Sequence, residues 1–276
     1  MHASPFISLV ISTYNRPDAL AAVVEACFAQ TDANFEIIIA DDGSTGATRE
    51  CVAALIARSP VPMQHIWQPD DGFRLATARN RGTMAARGEY MVFLDGDCIP
   101  QRDFIAQHRR LAQKGYLVTG SRILLSEALT ARILTEHIDL PSTSTAAKCG
   151  FRMQGHMNKV LQVMLRLPDI GRARHRFSWR RIKGCNLGMW RRDLETINGF
   201  DEGFRGWGHE DSDLVVRMFN AGIMRKDGAF ATEVFHLWHR EAQRDQATSN
   251  RSLVLERAAN KSYLASQGLN SPAHQP

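Results

Sequence analysis

The stretch that decides the fold is residues 6–44, FISLVISTYNRPDALAAVVEACFAQTDANFEIIIADDGS. It begins with a short apolar run at 6–12, rich in β-branched residues, which predicts a buried strand. A polar loop at 13–17 follows, and the good helix formers of 19–30 predict a helix. A second apolar run at 35–40 then ends abruptly in two aspartates and a glycine. This order of strand, loop, helix and strand is the repeating unit of an α/β fold.

The same alternation continues along the chain. Strands that alternate with helices predict an α/β domain with a mostly parallel central sheet and helices on both faces. Ligands of such sheets collect at the carboxyl ends of the strands, where the acidic clusters of this sequence fall. The further predicted elements are strands at 63–67, 90–94, 116–120, 184–190 and 231–236, and helices at 48–57, 75–86, 105–114, 125–137, 159–167 and 211–221.

Length and composition limit the class of protein. The chain has 276 residues, of which 44% are hydrophobic, enough for one sizeable core. We expect one domain at 1–265 and a disordered tail at 266–276. The five cysteines form no CxxC pair, so neither a disulfide framework nor a zinc site is predicted. No apolar run is long enough to span a bilayer and no signal-peptide pattern is present, so we expect a soluble, cytoplasmic protein.

The basic charge is concentrated in one segment. Residues 152–183 hold nine of the 34 lysines and arginines but one of the 29 acids, which leaves 25 basic and 28 acidic residues elsewhere. The segment also contains apolar residues, including Phe177 and Trp179 near its end, and belongs to a basic helical insertion at 124–181. This composition predicts contact with an anionic membrane surface. The alternative is a helix with its apolar side in the core and a solvated basic side.

Two pairs of aspartates follow predicted strands. Asp95 and Asp97 flank Gly96, so both carboxylates could reach a hard divalent cation that bridges a diphosphate. Asp41 and Asp42 end the second strand, where they could accept hydrogen bonds from a nucleobase or a ribose, as acidic residues at strand ends do in other nucleotide-binding α/β folds. Either pair would also suit an ordinary turn or a helix N-cap. Each pair is a weak signal by itself.

Two further polar clusters lie in the second half of the chain. The motif GWGHEDSD places Trp207 between two glycines and puts Glu210 and Asp211 at a predicted helix start. The helix dipole favours acids there but does not explain the indole, which is a natural platform for a sugar ring. A carboxylate beside it could act as a general base. His236 and His239 follow the last predicted strand, and a neutral imidazole is a good metal ligand.

Taken in order, these motifs resemble those of the family 2 inverting glycosyltransferases of GT-A fold. VISTYNRP, IIIADDGS, DGFRLATARNRG and FLDGDC are similar to the nucleotide-sugar-binding half of that family and cover residues 6–105. KGCNLGMWRRDLETINGFDEGFRGWGHEDSDL, within 182–240, resembles the acceptor and catalytic half shared with β-1,4-galactosyltransferases, chondroitin-polymerase-type enzymes and polypeptide N-acetylgalactosaminyltransferases. The insertion at 124–181 has no counterpart among these motifs.

The resemblance implies a nucleotide and donor site. Asp41 or Asp42 would hold the base, and Arg79 would lie near the donor. Asp95 would contact the ribose or the donor sugar. The full set implied for this site is Thr13, Tyr14, Asn15, Arg16, Asp41, Asp42, Arg79, Asp95 and Gly96.

The resemblance also implies the metal and catalytic residues. Asp97 would bind manganese or magnesium together with His236, or with His239 as the alternate. Asp211 would be the catalytic base, and Glu210 would support the donor or the acceptor. The residues implied for the acceptor are Trp207, Asn186 and Gly184.

The implied activity is that of a metal-dependent hexosyltransferase. It would move a sugar from a nucleoside diphosphate donor, with UDP favoured by analogy with the family, to a hydroxyl of a glycan or lipid-linked acceptor, as in polysaccharide or lipopolysaccharide synthesis. The reaction would be one in-line displacement with inversion, at the inner face of the plasma membrane. The alternative is a non-catalytic nucleotide-sugar or carbohydrate-binding protein. Nucleic acid is not expected as a partner, because the ordered acidic clusters would repel its phosphates.

Overall fold

The computed structural model describes residues 4–174, 182–240 and 247–271. Its strands are β1 (Ile7–Thr13), β2 (Phe35–Asp41), β3 (Met63–Trp67), β4 (Tyr90–Asp95), β5 (Cys98–Pro100), β6 (Tyr116–Thr119), β7 (Arg122–Leu124), β8 (Ala173–Arg174), β9 (Asn186–Trp190), β10 (Met224–Asp227) and β11 (Val234–His236). They form an eight-stranded sheet in the order β3–β2–β1–β4–β9–β6–β10–β8 and a three-stranded sheet in the order β5–β11–β7.

The strands β3, β2, β1 and β4 run parallel to one another, as the sequence predicts. Ile11 of β1 pairs with Ile39 on one side and Leu94 on the other, and all three are fully buried. Burial on both faces explains why β1, β2 and β4 read as largely apolar runs, whereas β3 at the edge of the sheet is only partly buried. The other half of the sheet is mixed, because β9 is antiparallel to both β4 and β6. The predicted α/β fold is therefore confirmed, with its parallel part at the N-terminal half.

Helices cover both faces of the large sheet. Ile11 belongs to the same buried cluster as Leu20 of the first helix, whereas its neighbour Val10 belongs to a second cluster that includes Ala78 and Leu214. Successive residues of a strand point to opposite faces, so one strand supplies both cores. The helices are α1 (Pro17–Phe28), α2 (Gly46–Ile56), α3 (Leu75–Ala85), α4 (Phe104–Leu111), α5 (Glu127–Glu136), α6 (Thr145–Met153), α7 (Leu161–Met164), α8 (Arg191–Thr196), α9 (Glu210–Asn220) and α10 (Ala247–Asn260).

The small sheet brings β11, a strand late in the sequence, to the end of β4. Its first strand, β5, begins directly after Asp97, and β11 lies antiparallel to β5 and parallel to β7. The Leu237 amide donates a 2.9 Å hydrogen bond to the Asp97 carbonyl. The sequence did not predict β5 or β7, each of which has only three residues.

The insertion differs from its prediction. The helix expected at 159–167 is a single turn, α7, because tertiary contacts draw the chain away from a helical path. Arg166 pairs with Asp103 at 2.7 Å, and the Leu167 amide donates to the Phe230 carbonyl at 3.1 Å. The helix α6 was not predicted. Phe177 and Trp179 lie outside the described residues.

The C-terminal region packs on α9. Arg257 of α10 pairs with the fully buried Asp213 at 2.6 Å. The Leu269 amide donates a 3.1 Å hydrogen bond to the Asn198 carbonyl. The described part of the expected tail, residues 266–271, is therefore hydrogen-bonded to the domain, and residues 272–276 lie outside the described residues. Among the described helices, none combines the length and the apolar character that crossing a bilayer requires.

Candidate active site

Strand register brings the implied donor residues to one edge of the sheet. Thr13 of β1 pairs with Asp41 of β2, and Ser12 pairs with Asp95 of β4. Because these strands are parallel, their carboxyl ends open at the same edge. The Gly96 amide donates a 2.7 Å hydrogen bond to the Ser12 carbonyl, which turns the chain directly after β4. The structure therefore brings together acidic residues that are more than 50 positions apart in the sequence.

The loop after β1 is bonded to the loop after β2. Asn15 has a φ of 48°, and its amide donates to Ser44 Oγ at 2.9 Å. Tyr14 is half exposed, and its hydroxyl donates to Asp70 Oδ2 at 3.0 Å. Arg16 forms an ion pair with Asp18 in the first turn of α1. The contacts of Tyr14 and Asn15 therefore hold the loop after β1 against the loops that follow β2 and β3.

The aspartates that end β2 are both buried and both hydrogen-bonded. Asp41 Oδ2 lies 2.9 Å from His65 Nε2, and although burial opposes ionisation, this hydrogen bond helps to lower the pKa of Asp41. Asp42 accepts from Gln68 Nε2 at 2.6 Å and from the Arg74 amide at 2.7 Å, yet burial raises its pKa. The sequence reasoning missed His65 and Gln68. Their signal was their position in and just after β3, the neighbour of β2.

Arg79 is the centre of the acidic cluster. Its guanidinium, 1% exposed, lies 2.9 Å from Asp95 Oδ1 and 3.5 Å from Glu210 Oε1. It also donates to the Gly184 carbonyl at 3.1 Å and lies 5.2 Å from the ring centre of Phe200. The resemblance implied only that Arg79 lies near the donor. The structure shows that it joins a carboxylate at the end of β4 to one at the start of α9.

The two acids at the start of α9 have different surroundings. Asp211 Oδ2 accepts the Gly184 amide at 2.9 Å, and its Oδ1 accepts the Ser212 amide at 2.6 Å. A side chain at Gly184 would place its Cβ 2.9 Å from the Asp211 Cβ, so glycine permits this approach. Burial, with Asp211 beside it, raises the pKa of Glu210 to about 7, although Arg79 opposes the shift.

Asp97 and two histidines form a group of metal-type ligands. Asp97 Oδ1 lies 3.7 Å from His236 Nε2, and Asp97 Oδ2 lies 3.3 Å from His239 Nε2. Burial lowers the pKa of His236 to about 4 despite the nearby carboxylate, so its imidazole is neutral at pH 7 and has a lone pair to share. A carboxylate and neutral imidazoles are suitable ligands for Mn²⁺, so these residues fit the implied cation.

One chain of contacts connects Asp211, at the start of α9, to Asp95, at the end of β4. Asp211 accepts a hydrogen bond from the Gly184 amide, and the Gly184 carbonyl accepts one from Arg79. Arg79 binds Asp95, which lies two residues before Asp97. Asp95 therefore lies in one cluster with Glu210 and Asp211, which are more than 100 positions away in the sequence.

The three implied acceptor residues have different positions. Trp207 is 39% exposed, on a loop whose Gly206 amide donates to the Phe73 carbonyl at 3.2 Å. Asn186 is fully buried, and its side chain is bonded to His108 Nε2 at 3.1 Å and to backbone carbonyls. Its side chain therefore supports the sheet and is not available to an acceptor, which corrects that prediction. Gly184 holds Asp211 through its amide.

Arg122 is a site residue that sequence reasoning missed. It begins β7, and its charge acts on both Asp95 and His236. A cation at this position adds positive potential near Asp95 and His236. The signal was weak, because Arg122 belongs to a three-residue strand that only tertiary pairing reveals.

Solved structures with this architecture are glycosyltransferases of GT-A fold. The mannosyltransferase PcManGT from Pyrobaculum calidifontis, solved with GDP-Man and Mn²⁺, is 16% identical, with a TM-score of 0.60 over 94% of this chain and 64% of that one. GalNAc-T7, solved with UDP, GalNAc and Mn²⁺, is 16% identical, with a TM-score of 0.61 over 93% of this chain and 48% of that one. These similarities place the fold in the GT-A class.

The family follows from the sequence. The model of Glycosyl transferase family 2 matches residues 8–187, and that of the N-terminal domain of galactosyltransferase matches 170–240. The chain belongs to glycosyl transferase family 2. It is 29% identical to validoxylamine A glucosyltransferase of Streptomyces hygroscopicus subsp. jinggangensis, over 79% of this chain and 52% of that protein. It is 25% identical to chondroitin synthase of Escherichia coli, over 82% of this chain and 34% of that protein. The chain thus spans about half or less of the length of these relatives.

Proposed function

We propose that the protein catalyses the metal-dependent, inverting transfer of a sugar from a nucleoside diphosphate sugar, in the first instance a UDP-sugar, to a hydroxyl of a glycan or lipid-linked acceptor. The observation that carries the proposal is the contact chain that runs from Asp211 through Gly184 and Arg79 to Asp95, the last residue of β4. Support for the donor class comes from the similar structures, which contain GDP-Man or UDP with Mn²⁺.

Asp211 is proposed as the general base. Its carboxylate removes the proton of the acceptor hydroxyl while the hydroxyl oxygen bonds to the anomeric carbon, and the bond from that carbon to the diphosphate oxygen breaks. Attack opposite the leaving group inverts the anomeric centre. The backbone amides of Gly184 and Ser212 fix one oxygen each, so the carboxylate is held in one orientation before the acceptor arrives.

Glu210 is proposed to support the donor. With a pKa of about 7 it is close to half protonated at neutral pH, so it serves as a hydrogen-bond donor as well as an acceptor toward sugar hydroxyls. Its contact with Arg79 ties it to Asp95, the proposed ribose or donor-sugar ligand. Tyr14, a half-exposed residue of the loop after β1, is proposed to contact the nucleobase of the donor.

Asp97 and His236 are proposed to hold the cation, with His239 as the alternate ligand. When bound, Mn²⁺ or Mg²⁺ neutralises the charge that develops on the leaving diphosphate. Arg122 contributes a fixed positive charge to the same place.

The test is nucleotide release from a panel of nucleotide sugars in the presence of Mn²⁺. We expect release from at least one donor, abolished by a chelator, and an Asp211→Asn variant with transfer reduced at least about 100-fold, the usual contribution of a general base. Glu256→Gln, which neutralises an exposed acid on α10, is the control and should leave the rate unchanged. Metal-dependent nucleotide binding without release from any donor would instead favour the non-catalytic binding protein.

A peripheral membrane location is proposed for the insertion, at the inner face of the plasma membrane. The described part of the insertion exposes several large apolar side chains, by 42–87%, namely Met153, Leu161, Met164, Leu165, Leu167 and Ile170. Exposed apolar clusters of this kind mark interaction surfaces. The basic residues support the membrane proposal less than the sequence suggested, because Arg166 forms an ion pair with Asp103 and Arg174 forms one with Asp227.

Vesicle flotation tests this location. A variant with Leu161, Leu165 and Ile170 changed to serine should bind anionic vesicles less than the unaltered protein. The matched control changes Leu253 and Leu255, exposed leucines on α10, to serine and should bind as before. Equal flotation of all three proteins would remove the membrane proposal.

A further inference from the structure

Cys98 lies among the proposed metal ligands. Ligand atoms of Asp97, Cys98 and His236 all lie within 4.8 Å of one another. Cys98 Sγ is 3.5 Å from Asp97 Oδ1. The cysteine is fully buried, whereas Asp97 and His236 are partly open to the site. A sulfur atom is therefore within reach of any cation that these two residues hold.

Strand pairing accounts for this position. In the antiparallel pair of β5 and β11, Cys98 lies directly opposite His236. Residues opposite each other in such a pair project their side chains to the same face, with Cβ atoms about 5 Å apart. The spacing of the cysteines in the sequence indicated no zinc site, because the ligands meet only through this tertiary pairing.

We propose that Cys98 is a metal ligand and that it gives the site a preference for thiophilic divalent cations, of which Zn²⁺ is the expected one, over Mn²⁺. The inference rests on the metal residues of the proposed function. Thiolate and imidazole are preferred ligands of Zn²⁺ and Co²⁺, whereas Mn²⁺ prefers oxygen and binds more weakly to mixed sites. Binding forms a metal–sulfur bond and releases the thiol proton to solvent, with no change of oxidation state. Zn²⁺ then competes with the cation that supports transfer.

Cobalt provides a readout that does not depend on activity. Titration of the metal-free protein with Co²⁺ should produce a near-ultraviolet sulfur-to-cobalt charge-transfer band that saturates at one ion per chain and is removed by Zn²⁺. The band should be absent from Cys98→Ser and Cys98→Ala and present in Cys185→Ser, the control for the buried thiol beside Cys98. Zn²⁺ affinity should fall at least about tenfold in both Cys98 variants, since loss of a supporting residue near a metal already has an effect of that size.

Two results would overturn the inference. One is a Co²⁺ complex of the unaltered protein that lacks the sulfur band, and the other is a band that persists in folded Cys98→Ser, as checked by circular dichroism. Failure of the proposed function is a separate outcome, since it would appear as an absence of Mn²⁺-dependent nucleotide release whatever the cobalt spectrum shows. Mn²⁺ binding that is retained in Cys98→Ser, together with a lost cobalt band, is the pattern expected if both proposals are correct.

Discussion

Replacement of Arg79 by methionine should destabilise the protein strongly and in a pH-dependent way. The change removes the guanidinium that lies 2.9 Å from Asp95 and 3.5 Å from Glu210, and it keeps an apolar side chain against Phe200. Both carboxylates would then lack their positive partner. Asp95 is about one-third exposed and recovers some hydration, whereas Glu210 is mostly buried and does not.

The size of the effect follows from these contacts. Removal of one partner of a buried ion pair costs about 3–5 kcal/mol, and the partial exposure of Asp95 places the expected loss for Arg79→Met near the lower value. Arg79 lowers the pKa of Glu210, which means that it stabilises the ionised form. Below pH 7 Glu210 takes up a proton in the folded state and no longer needs that charge. The loss should therefore shrink by about 1.5 kcal/mol at pH 5, the lower end of the net contribution of a hydrogen bond to a charged group, because the Arg79–Glu210 contact is 3.5 Å long.

Urea unfolding at pH 8 and pH 5, followed by circular dichroism, measures both effects. Arg81→Met is the matched control, because Arg81 lies on the same helix and is partly exposed, and its loss should stay within about 0.5 kcal/mol. Unchanged m-values would show that the midpoints report stability. An Arg79→Met variant as stable as the control, or a loss that grows at pH 5, would refute the account of Arg79 as the centre of the acidic cluster.

Three further predictions concern single residues of the site. Burial raises the pKa of Glu210 from its ordinary value of 4.5 to about 7, so the free energy of unfolding falls as the pH rises above 4.5. In thermal unfolding, Glu210→Gln should be more stable than the unaltered protein by up to about 3 kcal/mol at pH 8 and equally stable at pH 4. Equal stability at pH 8 would contradict this prediction. Gly184→Ala should displace Asp211 and reduce the rate of sugar transfer. Gly150→Ala is the control, because an added Cβ there has no neighbour within 4 Å, and its transfer rate should not change. Equal transfer rates for the two variants would argue against the role of Gly184. Asn186→Ala should cost about 1–3 kcal/mol in urea unfolding without raising the KM for the acceptor, and a raised KM at unchanged stability would restore Asn186 to the acceptor site.

Much of the N-terminal half could be predicted from the sequence. Strands β1, β2 and β4 are buried on both faces, so their apolar runs are continuous and end visibly at Asp41 and Asp95. Parallel strands place such ends at one edge, and the convergence of these acids followed from that rule alone. The acids at the start of α9 were also recognisable, because a helix start favours them.

The insertion and the small sheet could not be predicted in the same way. A three-residue strand such as β5 or β7 carries no periodic signal, and α7 is short because Arg166 and Leu167 bond to distant parts of the chain. Asn186 illustrates the same limit, since its motif suggested an acceptor contact and its neighbours bury it.

The sequence by itself determined the α/β class, the family and the positions of the acidic motifs, because strand burial and turn chemistry are local properties that leave a pattern in the residues. Tertiary structure alone decided that Arg79 joins Asp95 to Glu210, and that β5 pairs with β11 so that Cys98 faces His236. The Arg79–Glu210 and Cys98–His236 contacts join residues separated by more than 100 positions, and no local preference of either partner encodes them.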